Sequence, residues 1–440
     1  MKKILKEFVD VYLREFKLVK SDMGLILFFL FLPLVYPVLY SLIYNPEVVR
    51  DVPMVVVDHD RTAESRKVVR MLDATQEAWV KGYATDLNEA RRAMASQACY
   101  AILEIPEGFG RAIGREEQAQ AVMYCDMTLL LRYRGFLVAS TSVMQEMGAE
   151  ITNERVDLIA PLAGTIANGD PMPVQNVSMG NIENGFDSFI MPGVIILILQ
   201  QVIILAVAMA GGAKRENPLK IGYNPIDSTH SVWMSMLGQM ACYLTILSVP
   251  TIFLVHYVPL IFSFPMEGNV IEILIFLLPM VLASAGLGFM VQGMVRERES
   301  VFLLWVATSL IFLFLSGLTW PRYAMAPVWK LLGDLAPSMW GVEGFIRMNT
   351  NGADLSQVRE QYLALWILAA VYMVGAYFVQ RYVVRPNERR AFLAYYRAGA
   401  YDHIKLTPIE QEVVEQEDAH EADGNSAEAE GSDNDKGKRP

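Results

Sequence analysis

A chain of 440 residues that is 53% hydrophobic and only 19% charged carries more apolar surface than a soluble domain can bury. Its formal net charge of −11 is not one field, because much of it sits in the Glu- and Asp-rich tail after Pro408, and no nucleic-acid partner is expected of it. Three cysteines, Cys99, Cys125 and Cys242, exclude a disulfide scaffold or a cysteine zinc site, and Cys99 and Cys125 read as separate thiols ahead of a pair.

Residues 1–22 read as an amphipathic helix on the inner membrane surface. Leu5, Phe8, Val9, Tyr12, Phe16 and Val19 share one face at helical spacing, while Lys3, Glu7, Asp10, Arg14 and Lys17 take the other. The apolar run Met23–Tyr44 follows. It is too long for the core of a signal peptide and no small-residue cleavage pattern follows it, so it is expected as an uncleaved anchor, residues 23–44. Pro33 and Pro37 within it leave carbonyls without donors and favour a kink.

Residues 45–187 form a polar insertion long enough for its own core. Strands are expected at Val52–Asp58, Ala78–Ala84, Tyr100–Ile105 and Ala119–Asp126, and helices at Ala63–Leu72, Asp86–Ser96 and Leu129–Leu158. This alternation predicts a small α/β domain. Leu158–Asp187, rich in Gly, Pro and Asn, reads as a linker back to the bilayer.

Five further apolar runs lie in residues 188–382: Ser188–Gly211, Val232–His256, Val270–Val295, Val301–Trp320 and Gln361–Tyr382. Each has about the 20 residues that a spanning helix needs, and none alternates with the period of a strand. His256, Glu272 and Arg381 fall at run ends. Basic residues set the orientation: Lys2, Lys3, Lys6, Arg14, Lys17 and Lys20 before the first span, Lys214, Arg215 and Lys220 after the second, Arg296 and Arg298 after the fourth, and Arg381, Arg385, Arg389 and Arg390 after the last. Both termini are then inside and the α/β domain outside, although Lys330, Arg347 and Arg359 fit the outer segment Tyr323–Glu360 poorly. Leu318–Met348, with Trp320, Trp329 and Trp340 among prolines, reads as short helices partly sunk in the outer leaflet, their Trp at headgroup depth. Residues 383–440 are expected as a cytoplasmic segment with a disordered acidic tail. The fold class is an α-helical membrane protein of six transmembrane helices with an inserted α/β extracytoplasmic domain.

Catalytic chemistry has no foothold here. The sequence holds no phosphate loop, no H-E-x-x-H and no paired intramembrane aspartates. Gly211-Gly212-Ala213-Lys214 lacks the spacing of a phosphate loop, and Asp58-His59-Asp60 reads better as a strand ending in a polar turn than as a metal site. The span interiors carry neutral polar groups such as Gln200, Gln201, Gln239, Thr245, Ser284, Gln292 and Thr308 rather than the ionisable ones that bind a coupling ion. Energy for uphill transport is therefore expected from a partner. Ala283, Ser284, Ala285, Gly286 and Gly288 read as close helix packing.

One span, a large outer domain and five further spans resemble the permease subunits of ABC type-2 exporters, in the branch with a large domain between the first two spans. The local matches are Asp58-His59-Asp60, Ile105-Pro106-Glu107-Gly108-Phe109, Met191-Pro192-Gly193, Phe314-Leu315-Ser316-Gly317 with Trp320-Pro321, and Ala336-Pro337-Ser338-Met339-Trp340. In that family the loop after the second span reads E-R-E-x-G-T. Here the loop reads Lys214-Arg215-Glu216-Asn217-Pro218; Arg215 and Glu216 fit, but the Gly-Thr pair is missing. The resemblance implies a dimer, with a second copy or a paralogue, driven by a separate ABC ATPase that holds the ATP and Mg; the chain itself would need no cofactor and no metal. It implies ATPase coupling through Arg215, Glu216, Phe8 and Tyr12, and a transport pathway past Pro33, Pro37, Pro192, Gly193, Ser316 and Gly317. The implied activity is export of an amphipathic compound, a drug or lipid, across a bacterial inner membrane, with membrane lipid and a periplasmic adaptor as further partners. The alternative is a membrane-anchored receptor or secretion scaffold whose outer domain binds a protein.

Overall fold

The computed structural model describes residues 2–44, 49–115, 117–163, 185–216, 231–295 and 299–397, with side chains left aside at 2–3, 152–163 and 394–397. The expected linker after residue 163, the loop holding Asn217, Pro218 and Lys220, the turn with Arg296 and Arg298, and the acidic tail lie outside the described residues. The rest falls into two compact units, one within Met1–Asn45 and Asp187–Pro440, the other within Pro46–Ser178.

The smaller unit is built on a four-stranded sheet in the order β2-β1-β3-β4. Its strands are β1 (Val52–Asp58), β2 (Ala78–Tyr83), β3 (Ala101–Ile105) and β4 (Val122–Cys125). β1 runs parallel to both β2 and β3, and β4 closes the sheet antiparallel to β3. Alternation along β1 explains the layering. Val52, Met54 and Val56 join Val68, Leu72, Phe109 and Phe136 in one core, while Val55 and Val57 join Ala90, Cys99 and Ile102 in another. The first core is covered by α3 (Ala63–Asp73), α5 (Phe109–Gly114) and α6 (Leu130–Ala163), the second by α4 (Leu87–Ala95). Thr62 and Asp86 accept backbone N–H groups at the starts of α3 and α4, as N-caps do. α6 carries on through Ala163, five residues beyond the expected end at Leu158. Cys99 and Cys125 are both free, on the two different faces of the sheet, and burial pushes both thiols above their ordinary pKa.

The described residues of the larger unit form helices joined by turns. Among the described residues, five helices are long and apolar enough to cross a membrane: α2 (Met23–Tyr44), α7 (Phe186–Glu216), α8 (Val232–Phe262), α9 (Val270–Val291), and α13 (Arg359–Val379) with the helix that continues it. The run Val301–Trp320 yields a shorter helix, α10 (Ser300–Leu315). Ser316 and Gly317 stop it: Gly317 takes φ of +86°, where a side chain is strained, and Pro321 follows. Before α2 comes α1 (Lys2–Ser21), and between α10 and α13 lie α11 (Pro327–Asp334) and α12 (Pro337–Asn349), both opening on proline. α14 (Arg385–Arg397) completes the described chain.

Three of the prolines in these helices follow a widened turn. π-helical turns occupy Leu27–Phe31, Phe253–Tyr257 and Gln380–Val384, and each ends two residues before a proline, Pro33, Pro259 or Pro386. A prolyl ring clashes with the carbonyl four residues back and gives it no donor, and the wide turn relieves both. α8 therefore runs on through His256, expected at the end of its run, to Phe262, where Ser263 at φ of +57° ends it. α13 likewise passes through Arg381 into α14.

The small residues of α9 do pack closely. A Cβ on Gly286 would stand 3.0 Å from Tyr372 Cβ and 3.1 Å from the Tyr372 carbonyl carbon on α13, and one on Gly288 would stand 2.9 Å from Val207 Cβ on α7. Gly286→Leu should force α9 and α13 apart and cost about 1–3 kcal/mol. Gly82→Ala, which meets nothing within 4 Å, should stay within about 0.5 kcal/mol. Thermal unfolding of the purified chain in detergent measures both; equal melting temperatures for the two variants would contradict this packing.

Candidate functional site

At the end of α7 that carries Lys214, three elements meet on buried charge. Lys214 Nζ stands 2.6 Å from Glu15 Oε1, the two side chains being 4% and 1% exposed. Tyr243 donates its hydroxyl to the other Glu15 oxygen at 2.8 Å, so both oxygens of the carboxylate are engaged. α1, α7 and α8 are thereby joined. Lys214 was expected as a loop charge; α7 instead continues through Glu216, which places it inside the bundle.

The face of α1 differs accordingly from the expected one. Val11, Glu15 and Leu18 are its buried stripe, with Val19 beside it, and Val11 packs against Gly238 of α8. Phe8 and Tyr12 are half-buried at the margin, while Leu5, Val9, Leu13 and Phe16 are exposed. The apolar arc is thus divided between the protein and the surroundings. Glu7 adds a second tie, its carboxylate accepting the Ser231 N–H at the start of α8.

Arg215 turns inward as well. Its guanidinium donates to the carbonyls of Gln292 and Val295, just past the end of α9. Cationic donors there satisfy orphan carbonyls and complement the helix dipole. Beside it, Gln292 Nε2 donates to the Val207 carbonyl at 2.6 Å and Gln380 Nε2 donates to Gln292 Oε1 at 2.6 Å, linking α7, α9 and α13. Glu216 is exposed at the last position of α7. Of the four proposed coupling residues, Arg215 is thus engaged within the bundle, Phe8 and Tyr12 lie at its margin, and Glu216 faces out.

The proposed pathway residues fall into two groups. Pro33 and Pro37 are buried in α2, and Pro192 and Gly193 are buried near the start of α7. Gly193 receives the side chain of Leu318, which follows Ser316 and Gly317, so these two motifs are brought together. Ser316 donates to the Leu313 carbonyl at 2.6 Å and accepts the Leu318 N–H at 3.2 Å, which makes it a helix-ending turn. A cavity of about 230 Å³ lies among α2, α7 and α10, lined by Tyr36, Tyr40, Gln201, Trp305 and Ser309 and by apolar neighbours. Pro33, Pro37, Gly193 and Ser316 border it in sequence but do not line it.

At the opposite end, Arg322 is held by Asp334 and by Glu343 at 2.8 Å and lies 4.8 Å over the Trp340 ring. Trp340 is therefore turned into the protein, whereas Trp320 and Trp329 stay exposed.

Asp58 and Asp60 are spent on the backbone. Asp58 accepts from the Asp60 and Arg61 N–H groups and from the Ser65 hydroxyl at 2.7 Å. Asp60 accepts from the Gly108 and Gly110 N–H groups, both at 2.8 Å, and from the Thr62 hydroxyl. The Ile105–Phe109 motif is explained by this contact: Gly108 takes φ of +90°, and a Cβ on Gly110 would stand 2.7 Å from Thr62 Oγ1. Among the described residues no group of three His, Cys, Asp or Glu side chains is placed to hold a metal.

Five described helices long and apolar enough to cross a membrane mark a multi-pass membrane protein. The profile of the ABC-2 family transporter proteins matches residues 23–378, and the chain belongs to that family. Among curated proteins none matches the chain.

Partial burial raises the Asp60 pKa, but the hydrogen bonds from Thr62, Gly110, Gly108 and Phe109 outweigh it and hold the carboxyl below its ordinary value. A depressed folded-state pKa contributes stability that is full above the unfolded value, near 4, and is lost as pH falls through the folded one. Asp60→Asn should therefore cost about 1 kcal/mol at neutral pH, and the difference should shrink below about pH 4. Melting curves of the two proteins from pH 7 to pH 3 check this; a pH-independent difference would contradict it.

Proposed function

We propose that this ABC-2 family transporter component is the membrane-spanning subunit of an ATP-driven exporter in a bacterial inner membrane. ATP and Mg reside in a separate ABC ATPase, and two permease chains, identical or paralogous, form the pore-bearing dimer. α10 then serves as the sixth span, with both termini inside and the smaller unit outside, where a periplasmic adaptor docks. The basic residues of α1 and of the last turn of α7 support that orientation. The exposed stripe Leu303, Val306, Leu310 and Phe314 on α10 supports its contact with lipid or a second copy.

The observation that carries the coupling reading is the buried joint of Glu15, Lys214 and Tyr243. A push on α1 or on the end of α7 acts on α8 through the same atoms. Phe8, Tyr12 and Glu216 stand at the edge of that joint as the ATPase contact, with Arg215 fixing the end of α9 behind them. The apolar lining between α2, α7 and α10 supports an amphipathic compound as the cargo. Pro33, Pro37, Pro192, Gly193, Ser316 and Gly317 then act as flanking positions that let these helices rearrange.

Isolation of the tagged chain from its native membranes tests this. The expected result is a co-purifying ABC ATPase whose vanadate-sensitive hydrolysis rises when the permease is present. Glu216→Ala should insert and melt normally yet weaken that assembly by about 1–3 kcal/mol. Recovery of the chain with a protein bound to its outer domain and no ATPase would favour the anchored receptor or secretion scaffold.

A further inference from the structure

The cavity among α2, α7 and α10 contains polar groups for which no described residue supplies a partner. Gln201 is 6% exposed, and both its amide nitrogen and its amide oxygen are buried without a hydrogen-bond partner. The indole N–H of Trp305, across the cavity on α10, is buried and unpartnered too. Leaving such groups unpaired in an apolar site costs free energy that native interiors avoid. Here three lie around one space, and they are complementary in kind: two donors and one acceptor.

The rest of the lining is apolar or aromatic. Tyr36, Leu197 and Leu313 stand around the same space, and the Ser309 hydroxyl is already donated to the Val306 carbonyl. Among the described residues no Asp, Glu, Lys, Arg or His lines it. An ion entering there would lose its hydration with no countercharge in return. The volume of about 230 Å³ is just under the range of roughly 300–1,000 Å³ for sites that hold drug-sized ligands. It suits the polar junction and the first carbons of a chain rather than a whole bilayer lipid.

We infer that this cavity binds a neutral amphiphile whose carbonyl accepts from Trp305 and Gln201 and whose hydroxyl or amide N–H donates to Gln201 Oε1, with its apolar chain against α2 and α10. The inference deepens the transport reading and rests on it only for the ligand's role as cargo; binding itself requires no ATPase.

The test uses the full chain in nanodiscs of phosphatidylcholine. A diazirine-bearing monoacylglycerol is the probe, beside a quaternary ammonium and a carboxylate of the same chain length. The neutral probe should label peptides around residues 32–40, 197–202 and 305–313 at least tenfold more than either ion. Gln201→Leu and Trp305→Phe should each weaken labelling about 3- to 10-fold, the loss of one or two neutral hydrogen bonds. Gln201→Leu should also melt at or above the wild-type temperature, because it removes an unpaired buried amide, so weak labelling cannot be ascribed to unfolding. Competition by unlabelled monoacylglycerol but not by added diacyl phospholipid assigns the site to a diffusible cargo, and competition by both assigns it to a membrane lipid; either outcome keeps the neutral-amphiphile site. Equal labelling by the ionic probes, or wild-type labelling of both variants, overturns it. Persistence of stimulated ATP hydrolysis in that event would leave the exporter reading standing and reject the site alone.

Discussion

The larger unit depends on a buried charge pair. Taking a carboxylate and an ammonium out of water costs several kcal/mol each, and the pair holds only where geometry and further hydrogen bonds satisfy both. Glu15 and Lys214 meet that condition with Tyr243 as the third member. Removing either charge would strand the other at the contact of α1, α7 and α8, a loss of about 3–5 kcal/mol. The pair therefore sets the register of α1, since a slip of one residue would turn Glu15 out of reach and bring a different side chain against Gly238.

Around that joint, further hydrogen bonds and close contacts do the remaining positioning. The amides of Gln292 and Gln380 and the guanidinium of Arg215 close the same end of α7, α9 and α13. Glycines on α9 let α7 and α13 approach closely. The three widened turns keep proline-containing helices continuous, so displacement at one end of α2, α8 or α13 is carried along a single helix rather than lost at a break.

Much of the frame was legible in the sequence. Long apolar runs give helices because their backbone groups must be satisfied locally in lipid, and β1 falls at the expected Val52–Asp58 because its β-branched residues serve two cores. Helix ends were less legible. Ser316 and Gly317 shorten α10, and Pro259 sits inside α8 without ending it, since a wide turn absorbs it. The buried pair was missed because an acid on an interfacial helix and a lysine after a span both read as solvated charges. The signal was present in the spacing: Glu15 lies between Val11 and Leu18 on the apolar arc of α1, and Lys214 follows an unbroken run of small residues. The cavity was missed for a related reason. Prolines and glycines announce themselves, whereas Gln201 and Trp305 become informative only when their polar atoms are found without partners.

Charge reversal at the joint tests the central claim most directly. Melting temperature and yield of folded protein would be compared for Glu15→Lys, Lys214→Glu and the double exchange. The buried-pair account predicts that each single reversal is severely destabilised and that the double exchange recovers most of the loss, a coupling of at least about 2 kcal/mol. Additive losses, or single reversals that melt like the wild type, would contradict it.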